Sequence, residues 1–87
     1  EIAEARIRSI LQREADLIKK YGKTDGQRII DRKIWLGMTD DMALESWGLP
    51  DKNNRSVGSW GVHEQWVYER KDTYLYFENG ILKSWQD

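Results

Sequence analysis

Few residues in this 87-residue chain could do chemistry, and their spacing decides most of what they can do. His63 is the single histidine. With Glu64 it matches the start of a zinc-protease helix motif, but that motif needs a second histidine four residues on, along a helix. Position 67 is Val67, in a stretch that reads as a strand. Asp40 and Asp41 are adjacent, so on a helix their carboxylates point about 100° apart and do not converge on an ion. They suit the positive end of a helix dipole instead. Ser46, Ser56, Ser59 and Ser84 lie in no nucleophile elbow, and one histidine leaves little from which to build a triad. Gly37, Gly58 and Gly61 lack the spacing and the Lys-Ser/Thr pair of a phosphate loop. Cysteine is absent, which removes disulfides, thiolate metal sites and a thiol nucleophile. The expectation is a non-enzyme with no catalytic residue, no cofactor and no metal ligand. A polar pocket gathered round His63 and Glu64 would reopen the enzymatic reading.

Charge argues against nucleic acid as a partner. Formal net charge is −1, and a surface that tracks phosphates needs many uncompensated cations. Arg6, Arg8, Arg13, Lys19 and Lys20 fall in the first helical stretch, but Glu4, Glu14 and Asp16 interleave with them. The charge is also unevenly divided, with +3 over residues 1–33 and −4 over residues 34–87. Aromatics divide the same way: of five Trp, four Tyr and one Phe, only Tyr21 precedes Trp35. The chain reads as a basic helical arm followed by an acidic, aromatic body. No run approaches the ~20 apolar residues of a membrane span, so a membrane would be reached only through an unseen upstream anchor. Because the first residue is Glu1, we expect an excised or processed fragment.

The elements that must position these residues follow from periodicity. Ile7, Ile10, Leu11, Leu17, Ile18 and Tyr21 recur at three- and four-residue steps, predicting a helix over 2–21 that Gly22 ends. Ile29, Ile30 and Ile34 suggest a short helix within 24–33, capped by Thr24 or Asp25. Thr39 is an N-cap for a helix over 39–47, with Asp40 and Asp41 in its first turn. Gly48, Leu49 and Pro50 form its stop. Residues 51–61 read as a long polar loop, with a short strand around Arg55–Val57 as an option. Residues 62–70, 73–78 and 81–86 read as strands, with Asn79-Gly80 as a hairpin turn.

With two-residue turns at 71–72 and 79–80, Tyr68 faces Leu75 and Leu75 faces Ser84. One face then carries Trp66, Tyr68, Leu75, Phe77 and Leu82. The other carries Gln65, Val67, Tyr74, Tyr76, Ile81, Lys83 and Trp85. A meander with one apolar face must be covered, and the helices are the available cover. Val67, Tyr74, Tyr76 and Trp85 are then left as an uncovered apolar patch, the candidate partner surface. Trp60, in the polar loop, is a second candidate anchor.

The order of these signals resembles the small outer-membrane lipoprotein family known as SmpA/OmlA, or BamE-like. The resemblance rests on Gly37-Met38-Thr39, Trp47-Gly48-Leu49-Pro50, Trp66-Val67-Tyr68 and Tyr76-Phe77-Glu78-Asn79-Gly80-Ile81-Leu82. It spans roughly residues 24–86; the long first helix lies outside it. It implies an α+β, two-layer fold with N-terminal helices packed on a three-stranded antiparallel β-meander. The chain would then comprise an N-terminal helix over 1–23 and a BamE-like helix plus meander over 24–87. It also implies a non-enzymatic protein-binding accessory or scaffold role in bacterial envelope assembly, in the envelope or periplasm. A homo-oligomerisation or inhibitory module within a larger protein, with a second copy as partner, is the alternative, and a cytoplasmic location stays open.

Overall fold

Thr39 caps a short helix in the middle of the chain. In the computed structural model, which describes residues 2–87, its hydroxyl accepts from the Met42 amide at 3.2 Å. That satisfies one of the orphan amides at the start of a helix over Asp40–Trp47. Gly48 ends that helix with φ +80°, and its amide donates to the Leu44 carbonyl at 2.8 Å. The positive φ is the reason for glycine here.

Three helices and four strands make up the described chain: α1 (Ile2–Tyr21), α2 (Lys23–Ile30), α3 (Asp40–Trp47), β1 (Lys52–Gly58), β2 (Gly61–Tyr68), β3 (Thr73–Glu78) and β4 (Ile81–Gln86). They fall into two compact units that divide between Lys33 and Ile34. The division coincides with the change in sign of the charge along the sequence.

The first unit is a helical hairpin. Gly22, at φ +89°, is the whole turn between α1 and α2. It is also the N-cap of α2, which has no side-chain cap; the caps expected from Thr24 or Asp25 are not used. Gly26 lets α2 approach α1 closely, because a Cβ there would sit 2.7 Å from the Ile18 Cα and 2.9 Å from the Leu17 carbonyl oxygen. Leu17 and Ile29 are the buried apolar side chains of this unit.

The second unit is a four-stranded antiparallel sheet in the order β1-β2-β3-β4, with α3 beside it. The class is α+β, as expected, but the sheet has four strands rather than three. Residues 52–58, read as mostly loop, form β1 and pair along their whole length with β2. The core consists of Met38, Ala43, Trp66, Tyr68, Leu75, Phe77 and Leu82, with Ile34, Trp35, Met42, Leu44 and Trp47 packed around it. All of these lie from residue 34 onward. Within this unit, α3 and residues 34–38 supply the cover that was expected from the N-terminal helices.

The Gly37-Met38-Thr39 segment runs beside β4. The Gly37 amide donates to the Leu82 carbonyl and the Leu82 amide to the Met38 carbonyl, both at 2.9 Å. Met38 is thereby fully buried while Thr39 is set to cap α3.

Strand register departs from the two-residue-turn expectation in two ways. The β2–β3 connection is longer, so Trp66 pairs with Leu75 and Tyr68 with Thr73. That two-residue slip leaves every side chain on its expected face. In β4 the register shifts after Leu82, so that Ser84 pairs with Tyr76 and Trp85 with Leu75. Lys83 is the extra residue of a bulge. This one-residue slip moves Trp85 to the face that holds Leu75 and Trp66, away from Tyr74 and Tyr76.

Tyr68 ties the sheet to the end of α3. Its hydroxyl donates to the Gly48 carbonyl at 2.8 Å, and its ring meets Trp47 edge-on at 5.1 Å. Burial first, and the nearby Asp51 carboxylate second, push its pKa up from about 10 to about 12. Because the phenol is harder to ionise in the folded chain, this contribution is fully present below about pH 10. It is lost as the pH rises through about 12. An equilibrium urea series over that range should show stability falling in the wild type and a shallower fall in Tyr68→Phe. Gly48→Val should lower stability by roughly 1 kcal/mol or more, since a β-branched residue resists positive φ; an unchanged melting temperature would contradict the helix stop. Deleting Lys83 should leave the flanking pairs in register, so near-wild-type melting is expected from calorimetry.

Candidate binding surface

The sheet face turned away from the core is organised in rungs. Asn54, Gln65, Tyr76 and Ser84 are register partners across all four strands. Lys52, Val67, Tyr74 and Gln86 form the rung on one side, and Ser56, His63, Glu78 and Ile81 the rung on the other.

The central rung is joined by side-chain hydrogen bonds. Asn54 Nδ2 donates to Gln65 Oε1 at 2.9 Å, and Gln65 Nε2 donates to the Tyr76 hydroxyl at 3.3 Å. The hydroxyl donates onward to Gln86 Oε1 at 3.3 Å. Gln65 and Tyr76 thus each accept on one side and donate on the other, with Asn54 of β1 as the first donor and Gln86 of β4 as the last acceptor. Such a relay orients its members without any charge. It also holds long amide side chains in one arrangement, which lowers the entropy lost when a partner docks.

Beside the relay, His63 Nε2 lies 3.5 Å from Glu78 Oε1. An open hollow of about 370 Å³ lies over this region, bordered by Asn54, Ser56, His63, Gln65, Tyr76, Glu78, Lys83 and Ser84 among others. Polar groups therefore do gather round the lone imidazole. Glu64 borders the hollow as well, although its carboxylate is engaged on the other side of the sheet. Glu64 points to the core side, where its carboxylate accepts from Trp66 Nε1 at 2.6 Å and from Asn53 Nδ2 at 3.3 Å, and pairs with Arg55 at 3.6 Å. The carboxylate beside His63 is Glu78, and the side chains of both are more than two-fifths exposed. Among the described residues, no group of three or more His, Asp or Glu side chains is placed to hold a metal ion.

The five residues singled out from sequence are distributed as follows. Val67 and Tyr74 share one rung and Tyr76 sits in the next; Tyr74 is 36% exposed. Trp85 is 39% exposed but belongs to the opposite face, in register with Leu75. Trp60 occupies the two-residue turn between β1 and β2 and folds back over Gly58. A Cβ on Gly58 would lie 2.4 Å from the indole, so glycine is required for that packing. The Trp60 ring is 6.4 Å from the His63 ring and remains 57% exposed. Sequence reasoning left Asn54, Ser56 and Gln86 out of the candidate set because β1 was read only as an optional short strand around Arg55–Val57 and the β4 bulge was not anticipated. The signal that could have revealed them is the pair of glycines, Gly58 and Gly61, on either side of a two-residue turn.

Tyr76→Phe removes the link between Gln65 and Gln86. A loss of roughly 0.5–1.5 kcal/mol is expected from chemical unfolding, with circular dichroism unchanged. A collapse of the fold would show that the relay is core structure rather than surface. No family model matches the chain, and comparison with curated proteins and with solved structures found no match.

Proposed function

We propose that this chain is a non-enzymatic protein-binding module whose contact surface is the exposed sheet face. The observation that carries the reading is the neutral hydrogen-bonded relay Asn54–Gln65–Tyr76–Gln86 across all four strands. A face built from Tyr, Asn, Gln, Ser and His has the chemistry of a protein contact surface. Tyrosine offers large, rigid, amphipathic area, and amides and hydroxyls adapt to a partner's polar groups. Charge is kept to the margins, at Lys52, Glu78 and the bulged Lys83. Trp60 extends the surface beyond His63 as an exposed aromatic anchor.

The resemblance of the short motifs to the BamE-like pattern supports an accessory or scaffold role in bacterial envelope assembly. Thr39 as cap, Gly48 as stop, Trp66 and Phe77 as core and Asn79-Gly80 as hairpin turn fill the structural posts on which that resemblance rests. No described helix is long and apolar enough to cross a membrane.

The hollow around His63 favours a second reading, a site for a small polar ligand. The two readings differ in what they engage. Photo-crosslinking residues placed at Tyr74 and Tyr76 in the whole protein, in cells, should capture a discrete protein, while the same residue at Arg70 should not. Equal capture at all three positions, or none, would overturn the protein-binding reading. Tyr74→Asp should abolish the capture at position 76 without altering the melting temperature. Saturable small-molecule binding lost in His63→Ala would favour the second reading.

A further inference from the structure

The second helix of the hairpin covers only part of the first. Ile7, Ile10 and Leu11 are 56%, 57% and 59% exposed, whereas Leu17 on the same helix is 3% exposed. The cause is length. α1 has 20 residues and α2 has 8, so at ~1.5 Å per residue α2 folds back over less than half of α1. Along α1, Ala3, Ile7, Ile10, Glu14, Leu17 and Tyr21 follow one another at alternating steps of four and three residues. That is the spacing of a seam that receives another helix, its side chains fitting as knobs into holes. The hairpin uses the later part of the seam, at Leu17. Ala3, Ile7 and Ile10, with Leu11 beside them, are the part left open, over about 12 Å or two turns.

The charges beside the seam discriminate among occupants. At about 100° per residue, Arg6, Arg13 and Lys20 line one border of it. Glu4 and Arg8, an ion pair at 3.9 Å, lie beyond the other. Glu14, half-buried, stands in the seam itself. A second copy of α1 fits poorly. Packed antiparallel, it would set the basic border against its own copy; packed parallel, it would stack Glu14 on Glu14. A lipid surface fits poorly as well. Lying on it, the open face would carry the Glu14 carboxylate toward the acyl chains. Residues 2–14 also hold three arginines against two glutamates, a net of only +1, which is little attraction for anionic headgroups. A helix with acidic flanks satisfies the basic border, and a cation among its apolar seam residues satisfies Glu14.

We infer that the open part of α1 docks an amphipathic helix of a different protein, one that sets apolar side chains against Ala3, Ile7 and Ile10, acidic side chains against Arg6 and Arg13, and a cation against Glu14. The site is separate from the exposed sheet face, so it stands or falls independently of the reading of that face. Two turns of helix bury little area, so the contact is a weak one. Its flanking charges are exposed, so it weakens further with salt.

A designed peptide of about three heptads tests it, with Leu at the seam positions, one Lys among them, and Glu on both flanks. Its counterpart carries Lys on both flanks. Titrated with the whole chain and followed by fluorescence anisotropy, the Glu-flanked peptide should bind roughly tenfold more tightly than the Lys-flanked one. Arg6→Glu/Arg13→Glu should reverse that preference. Ile7→Asp/Ile10→Asp should abolish binding of both peptides, with helix content unchanged by circular dichroism. Binding of neither peptide by the wild type, or of both alike, overturns the inference. Wild-type dimerisation in light scattering that Ile7→Asp/Ile10→Asp abolishes overturns it in favour of a second copy. Wild-type binding to phosphatidylglycerol vesicles, lost in the same variant, overturns it in favour of a membrane. Tyr74→Asp should leave peptide binding untouched; a loss there would move the contact to the sheet face and overturn it too. Should the charged pair disturb helix content, Ile10→Ser carries that arm. Several-fold weaker binding of the Glu-flanked peptide is then expected, and unchanged binding overturns the seam.

Discussion

The packing of Trp66 against Phe77, with ring centres 4.4 Å apart over Leu75 and Leu82, is the contact on which the rest of the sheet unit depends. A strand sends alternate side chains to opposite faces, so drying one face dictates what the other can hold. Met38, Ala43 and the ring of Trp47 close the dry side. Residues 37–40 run beside β4 so that Met38 can reach that side, and Thr39 then starts α3 in the one place where α3 can lie over it. The cap, the helix and the sheet are parts of one arrangement rather than separate elements.

The two polar clusters of the sheet follow from that arrangement and differ in kind. Glu64 sits where the covered face runs out beneath β1. A half-buried carboxylate must be paired there, and Trp66, Asn53 and Arg55 supply the donors. Its partners come from its own sheet, which makes it structural. On the other face, the amides and the phenol of the central rung bond to one another and leave their remaining capacity to whatever approaches.

The helical hairpin shows the same logic with a different outcome. Gly26 brings α2 close against Leu17 and Ile18, so the second half of α1 is covered. The first half keeps its apolar stripe in the open because α2 stops after eight residues. Helix stability in water comes mostly from packing of an amphipathic face, and this helix carries more of that face than its own hairpin uses.

Legibility varied with the range of the interaction involved. Signals that act within a few residues were readable: the 3.6-residue stripe of α1, the Thr39 cap, the Gly48 stop, the Asn79-Gly80 turn and the inward set Trp66, Tyr68, Leu75, Phe77 and Leu82. The longer β2–β3 connection did no harm to that reading, because a slip of two residues preserves strand faces. Three features had little local signal beyond the glycines Gly58 and Gly61 on either side of the β1–β2 turn. β1 is polar and exposed on both faces, and it is a strand because β2 offers it an edge to pair with. The bulge at Lys83 turns Trp85 toward the core side because Leu82 and Trp85 both have places opposite β3 that a regular register would not give them. The relay across the outer face exists because those two pairings bring Asn54 and Gln86 to either end of Gln65 and Tyr76. Sequence alone determined which residues prefer to be dry and where the chain turns, since those are properties of short segments. Tertiary structure decided which strand edges meet and in what register, because the free energy of pairing belongs to two distant segments at once.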